Sequence, residues 1–172
     1  MRTFQFFLKC LRIAVLVVTA SAAQAEQLAT PVGDVVLLIK GQMTQTNTPD
    51  GAAFDLDMLR KIGAVTFSTS TPWTDGVQTF TGVSLKQLLI HVGATPASLM
   101  VTAINEYQIA VPATDAVDDG PILAWEQSGK LLSIREKGPL WLIYPFDLKK
   151  EYQTEEVQSR AVWQVVQIDL KP

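Results

Sequence analysis

The cysteine content is the feature that most constrains this chain of 172 residues, because its only cysteine is Cys10. Cys10 lies within residues 1–25, which combine early basic residues, the apolar run 13–20 and the small-residue ending Ala23-Gln24-Ala25. This order is typical of a secretory signal peptide. The apolar run is shorter than the roughly 20 residues that span a bilayer. The sequence therefore predicts an exported protein without membrane insertion.

Cleavage after Ala25 would leave residues 26–172, which contain neither a thiolate nor a disulfide and must be stabilised by packing. That length fits one domain with its own core. Residues 1–25 hold three of the fourteen basic residues and none of the seventeen acidic ones, so the remainder has a formal charge of −6. This negative charge argues against nucleic acid and anionic membrane surfaces as partners. We expect a periplasmic protein.

Hydrophobic patterning predicts an α+β fold, with two short helices inserted among about seven strands. A loop is predicted at 42–53. One helix should run from a cap at Asp55 to Gly63, and the other from a cap at Ser84 to Gly93. Strands are predicted at 35–39, 65–67, 99–104, 107–111, 122–126, 131–134, 140–144 and 162–170.

The last predicted strand has a two-sided pattern and the length of a central or long edge strand. Its alternation puts Val162, Val166, Ile168 and Leu170 on one face and residues 161, 163 and 165 on the other.

The common catalytic motifs are missing. The single histidine, His91, has no partner set with zinc spacing, and its place at a predicted helix end suits the helix dipole. The sequence contains neither a glycine-rich phosphate loop nor a nucleophile elbow. Ordinary hydrolase chemistry is not expected.

Polar residues and tryptophan follow the strand predicted at 65–67. The segment 68–76 reads Ser-Thr-Ser-Thr-Pro-Trp-Thr-Asp-Gly. Its hydroxyls, with Trp73 as a rigid wall and Asp75 beside it, could line a polar pocket. A hydroxyl-rich turn with Trp73 packed in the core fits the same pattern equally well.

Two further clusters carry cations. Arg135 and Lys137 precede a predicted strand that contains Trp141. This combination suits the binding of an anion or an acidic partner. A solvated turn that leads into a core strand is the simpler interpretation. Arg160 is predicted to start the last strand, where it would either brace a loop or bind a ligand.

Four segments in this order, 81–89, 124–132, 137–145 and 162–163 with its strand, resemble the molybdopterin-binding domain of sulfite-oxidase-like oxidoreductases. The resemblance covers residues 35–170 and implies mixed β-sheets with a few short helices. The chain is more similar still to small exported bacterial proteins with this fold, which share the Thr-Pro-Trp-Thr-Asp segment, here 71–75.

The resemblance also carries departures. In the enzymes a cysteine after an early strand holds molybdenum, whereas the matching stretch 67–71 offers only hydroxyls, which are poor substitutes for a soft thiolate. Trp141 stands where the family usually has arginine. Molybdoenzymes loaded with cofactor normally leave by the twin-arginine route, but Arg2 and Arg12 are far apart.

These features favour a non-catalytic, cofactor-free periplasmic domain that uses the former cofactor cleft. It would bind a small anionic molecule or a periplasmic or membrane-protein partner. The predicted site residues are Thr69, Ser70, Thr71, Trp73, Asp75, Arg135, Lys137, Trp141 and Arg160. The alternative is a molybdopterin-dependent oxidoreductase that holds the cofactor without a cysteine ligand. A third hypothesis, a structural subunit of an envelope complex, would require a large exposed apolar patch.

Overall fold

Ten strands in two β-sheets and three α-helices make up residues 28–172, the part of the chain that the computed structural model describes. The strands are β1 Val35–Lys40, β2 Ala52–Asp55, β3 Val65–Ser70, β4 Val77–Ser84, β5 Ser98–Ala103, β6 Gln108–Pro112, β7 Ile122–Gln127, β8 Lys130–Leu131, β9 Trp141–Ile143 and β10 Val165–Lys171. The helices are α1 Leu56–Ile62, α2 Leu85–His91 and α3 Glu155–Arg160. The α+β class is confirmed. The predicted signal peptide lies outside the described residues.

The first sheet has the order β2-β1-β10-β5-β6. The pair β1–β10 is parallel and the other pairs are antiparallel. The last strand, predicted to be central or a long edge, is thus the central strand of this sheet. Its predicted faces are wrong, because a register irregularity between Val165 and Gln167 shifts the alternation. Val165 consequently shares the buried side with Ile168 and Leu170, whereas Val166 is only half-buried.

The second sheet is antiparallel and has β7 at its centre. One edge of β7 pairs with β4, which in turn pairs with β3. The strands β8 and β9 pair with the carboxyl-terminal and amino-terminal halves of β7, respectively. Gly82 lies where β4 approaches β7 so closely that a side chain would meet the backbone of Leu123 and Ala124. Glycine is required here by space.

The two predicted helices, α1 and α2, begin and end close to the predicted positions. Asp55 caps α1 by accepting a hydrogen bond from the Met58 N–H at 2.8 Å, and it also accepts bonds from Val32 and Gly33. These backbone donors, Gly33 first, hold the pKa of Asp55 below its usual value. The side chain of Ser84, in contrast, makes no capping bond to α2. Among residues 28–172, no helix is long and apolar enough to cross a membrane.

One continuous apolar cluster joins the two sheets and the helices. Leu37 and Val101 contribute to it from the first sheet, Phe80 and Leu123 from the second, and Leu88 from α2. All five are fully buried. Burial of one such side chain stabilises the fold by about 1.5–3 kcal/mol, which allows a fold without disulfides.

Three local predictions are wrong. Residues 68–70 were predicted to lie in a loop but complete β3, where alternate hydroxyls bond across to β4. The strand predicted at 131–134 is reduced to β8, and Ile134–Glu136 form a 3₁₀ turn. Arg160 ends α3 instead of starting β10. This helix was not expected, because its single turn and a half has too little apolar periodicity to be recognised.

Candidate functional site

Three tryptophans meet at one end of the second sheet. Ring centroids are 6.1 Å apart between Trp73 and Trp141, 5.8 Å between Trp73 and Trp163, and 6.4 Å between Trp141 and Trp163. All three pairs are edge-to-face, an arrangement worth about 0.5–1.5 kcal/mol per pair beyond the area buried. Phe146 contacts Trp73 in the same way at 6.1 Å. We call Trp73, Trp141, Trp163 and Phe146 the aromatic cluster.

The turn between β3 and β4 holds Trp73 in this position. The hydroxyl of Thr71 accepts a hydrogen bond from the Trp73 N–H at 3.1 Å and bonds the Thr74 hydroxyl at 2.9 Å. Gly76 closes the turn with a φ of +63°, a backbone region that favours glycine. Thr71 was predicted as a ligand-binding residue. In the structure its hydroxyl forms hydrogen bonds within the turn, and these bonds position Trp73.

Four of the nine predicted site residues line one cleft of about 660 Å³, namely Trp73, Asp75, Arg135 and Lys137. Lys130, at the start of β8, adds a third cation to the same wall. We call this cavity the basic cleft.

The charge of the basic cleft is slightly positive. Asp75 and Glu136 also line it, so three cations face two carboxylates. Within residues 28–172, none of the three cations has a carboxylate oxygen within 4.0 Å. Their donors are therefore available to an anion from solution.

Lys137 lies at the base of the basic cleft in a left-handed backbone conformation, with φ of +73°. For a residue other than glycine this conformation costs about 1–2 kcal/mol. The carbonyl of Lys137 accepts a hydrogen bond from the Gln164 N–H at 3.0 Å, and Gln164 itself has φ of +56°. The Lys137 ammonium lies 5.3 Å from the centroid of Trp141. This contact is a cation–π interaction.

Trp141 is the floor of the aromatic cluster and not a surface of the cleft. It is fully buried, and Phe80 packs against it edge-to-face at 5.4 Å. Its indole Nε1–H has no hydrogen-bond partner among the described residues. Trp141 therefore offers no exposed surface to a ligand, in contrast to its predicted place in the site.

Thr69 and Ser70 fasten β3 to the segment that follows β9. The Asp147 carboxylate accepts hydrogen bonds at 2.6 Å from both the N–H and the hydroxyl of Ser70. Thr69 is fully buried, and its hydroxyl accepts a bond from the Asp147 N–H at 3.0 Å. The Ser70 bonds hold the pKa of Asp147 below its usual value. The expectation that these hydroxyls are free pocket donors is therefore wrong.

Arg160 takes the bracing role. Its guanidinium donates to Asp115 at 3.0 Å and also bonds Glu156 one turn earlier in α3. The hydroxyl of Tyr144 donates to the same Asp115 carboxylate at 2.7 Å. Burial and then this hydrogen bond raise the pKa of Tyr144 above its ordinary value. Arg160 therefore connects α3 to the 3₁₀ turn after β6 and does not line the basic cleft.

Two residues were missing from the predicted site. Lys130 follows a Ser-Gly turn and carried no motif of its own, so no sequence signal distinguished it from other surface lysines. Trp163 was recognised within a motif but left out of the site set. The signal available was its residue type, because aromatic side chains commonly line ligand pockets.

Comparison with known proteins identifies a family to which the chain is similar. The model of the family described as oxidoreductase molybdopterin binding domain matches residues 56–148, more than half of the chain. The matched region runs from α1 past β9 and contains Trp73, Arg135, Lys137 and Trp141 but not Arg160. No curated protein matches this chain. The length of the family match, together with the α+β architecture, shows that the chain belongs to the oxidoreductase molybdopterin-binding domain family.

Proposed function

We propose that this chain is an exported, cofactor-free member of the family that binds a small carboxylate-bearing anion in the basic cleft. The observation that carries the proposal is the set of three cations, Lys130, Arg135 and Lys137, which line the basic cleft together with Trp73 and have no described carboxylate partner. The three cations supply the charge-assisted donors that a carboxylate needs, and the indole of Trp73 forms an apolar part of the cleft.

The donor set supports the absence of a resident molybdenum cofactor. Molybdenum in this family is held by a cysteine thiolate, and the resemblance places that position within residues 67–71. The candidates there are hydroxyls, of which Thr69 is fully buried and already hydrogen-bonded to Asp147. A neutral hydroxyl is a poor ligand where a soft thiolate is required. Cys10 lies outside the described residues.

One cation that the resemblance expects is missing. A pterin cofactor carries phosphate, which basic side chains would have to bind. Trp141 occupies the position where the resemblance expects arginine, and it is buried under Trp73. Arg160 is engaged by Asp115 and Glu156. The misfit therefore rests on the missing thiolate and on this arginine position, whereas the three cations of the basic cleft are assigned to the proposed anion. No step of the proposed function passes through the cofactor.

Strain at Lys137 supports a ligand-binding role for the basic cleft. A lysine in a left-handed conformation carries a cost that glycine would avoid. Such strained positions are concentrated at functional sites. In the proposed function, the ammonium of Lys137 interacts with the anion, which a glycine at this position could not do.

The proposed location is the periplasm, on the strength of the predicted signal peptide at residues 1–25. Export as an unfolded chain would separate the protein from a cofactor that is inserted in the cytoplasm. The ligand could then come from solution or from an acidic side chain of a periplasmic or membrane-protein partner, which presents the same carboxylate chemistry.

Metal and pterin content test the cofactor part of the proposal. The protein is purified from the periplasm of the cells that naturally produce it. Its molybdenum content is measured by mass spectrometry and its pterin content by fluorescence. The expected result is neither. About one molybdenum per chain would overturn the proposal and would favour an oxidoreductase that holds its cofactor without cysteine.

Calorimetric titration with succinate tests the anion part, with the uncharged succinamide as a control ligand. We expect succinate alone to bind, and Arg135→Gln and Lys137→Gly each to weaken binding about tenfold, the worth of one charge-assisted hydrogen bond. Lys149→Gln is the matched control, because Lys149 also lies over an aromatic ring, at 5.0 Å from Tyr152, but not in the basic cleft. Equal binding of succinamide, or equal loss in Lys149→Gln, would contradict an anion site.

A further inference from the structure

A second cavity shares only Trp73 with the basic cleft and has a volume of about 310 Å³. Three aromatic residues line it, Trp73, Tyr107 and Trp163. Three neutral polar residues, Asn105, Gln158 and Ser159, also line it, and the remaining lining residues are alanine and valine. We call this cavity the neutral pocket. It is formed by the β5–β6 hairpin on one side and by the end of α3 on the other.

Among residues 28–172, no charged side chain lines the neutral pocket. Arg160, which lies within α3 beside two lining residues, is held away from it by Asp115 and Glu156. An ion transferred into such surroundings would lose its hydration without gaining a partner. The lining therefore selects an uncharged occupant, in contrast to the basic cleft.

The Trp163 wall is held in place while part of its surface remains exposed. Trp163 is 39% exposed and Tyr107 is 48% exposed. Trp163 is nevertheless fixed by edge-to-face contacts with Trp73 and Trp141 and by a bridge to Trp141 in the adjoining strand. A rigid, exposed aromatic wall reduces the conformational entropy that a ligand must overcome on binding.

We propose that the neutral pocket binds a small uncharged molecule with a single ring system and one hydrogen-bonding group. The ring would pack against Trp163 and Trp73, and its polar group would bond the side-chain amide of Asn105 or Gln158. A volume of about 310 Å³ lies at the lower end of small-molecule sites, which limits the occupant to about one substituted ring and excludes a helix. This site is independent of the anion site proposed above.

Nuclear magnetic resonance of the full chain provides the test, because each indole N–H of Trp73, Trp125, Trp141 and Trp163 gives its own signal. Benzyl alcohol is the probe, and benzoate and benzylamine are its charged counterparts. We expect benzyl alcohol to shift the Trp163 and Trp73 signals saturably. Trp125, which is buried in β7, should not respond. At Trp163 the charged compounds should bind at least tenfold more weakly.

Substitutions locate the binding. Tyr107→Ala removes one wall, and Ser159→Phe fills the pocket from an exposed position while Trp163 stays intact. Each should weaken benzyl alcohol binding at least tenfold. The control Ile90→Ala truncates a side chain that is 60% exposed on α2, outside the pocket, and should leave binding unchanged.

The proposal is overturned if Trp163 shows no saturable shift, or if both Tyr107→Ala and Ser159→Phe keep an affinity within twofold of the parent protein. Succinate titration of the same variants separates the two sites. Loss of benzyl alcohol binding with unchanged succinate affinity supports a distinct neutral pocket. If Lys137→Gly alone abolished benzyl alcohol binding, the probe would be occupying the basic cleft, and the neutral pocket would be refuted.

Discussion

Replacement of Arg160 by alanine should destabilise the protein strongly, because its ion pair is mostly buried. Arg160 lies 3.0 Å from Asp115, and the two side chains are only 14% and 16% exposed. A matched control exists in α1, where Arg60 lies at the same 3.0 Å from Asp57 but the side chains are 43% and 77% exposed. The two substitutions therefore compare ion pairs of equal distance and different burial.

The expected loss in the free energy of unfolding follows from the Asp115 carboxylate, which Arg160→Ala leaves without its cation. A hydrogen bond to a charged group contributes about 1.5–3 kcal/mol. The Asp115 carboxylate would then keep only the Tyr144 hydroxyl as a side-chain partner in a poorly hydrated place, and removal of one partner of a buried pair costs about 3–5 kcal/mol. The exposed Glu156 contact adds less than about 0.5 kcal/mol. Partial exposure puts the expected loss near the lower limit, about 3 kcal/mol.

Urea unfolding followed by tryptophan fluorescence measures this loss of stability. The melting temperature should fall by about 6–12 °C for a chain of this size. Arg60→Ala should change the free energy of unfolding by no more than about 0.5 kcal/mol. The reasoning is refuted if Arg160→Ala stays within 0.5 kcal/mol of the parent protein, or if Arg60→Ala is equally damaging. A folded Arg160→Ala variant that loses only succinate binding would return Arg160 to a ligand role.

Three further substitutions test the structure at other places. The pKa of Tyr144 is raised in the folded protein, so its contribution to stability is present below the ordinary tyrosine pKa of 10.0 and is lost as the pH rises above it. Tyr144→Phe should therefore flatten the alkaline limb of the pH–stability profile measured by urea unfolding. The pKa of Asp147 is lowered in the folded protein, so its contribution to stability is present above the ordinary aspartate pKa of 3.8 and is lost as the pH falls through the lower folded pKa. Asp147→Asn should therefore flatten the acid limb of the profile in the same assay. Gly82→Ala forces a methyl group against the β7 backbone and should lower the free energy of unfolding by at least about 2 kcal/mol, and a fully stable Gly82→Ala protein would disprove the close approach.

Local sequence signals predicted the elements that are stabilised locally. The α1 cap is an example, because Asp55 and Met58 are three residues apart and their hydrogen bond needs no distant partner. The β5–β6 hairpin was likewise indicated by the short polar turn between two apolar runs. The strand β3 was cut short in the prediction, because its hydroxyl residues look like a loop until their partners on β4 are known.

The candidate site divides in the same way. Sequence brought Trp73, Arg135 and Lys137 to notice as residue types suited to a ligand, and they do line one cleft. It could not separate them from Thr69, Ser70 and Arg160, whose polar groups are occupied by Asp147 and Asp115. These partners are 45 to 78 residues away along the chain, and hydrogen bonds over such separations exist only after the sheets have formed.

The sequence alone determined the fold class and the set of available side chains: an α+β pattern, no cysteine outside the predicted signal peptide, and tryptophans and cations near the ends of predicted strands. Only the tertiary structure decided which of those groups remain free. Three tryptophans separated by up to 90 residues pack edge-to-face because β9 and the segment before β10 lie side by side. The same packing buries Trp141 and leaves Trp73 between the two cavities. Availability for binding depends on burial and on long-range partners, and neither is encoded at a single position in the chain.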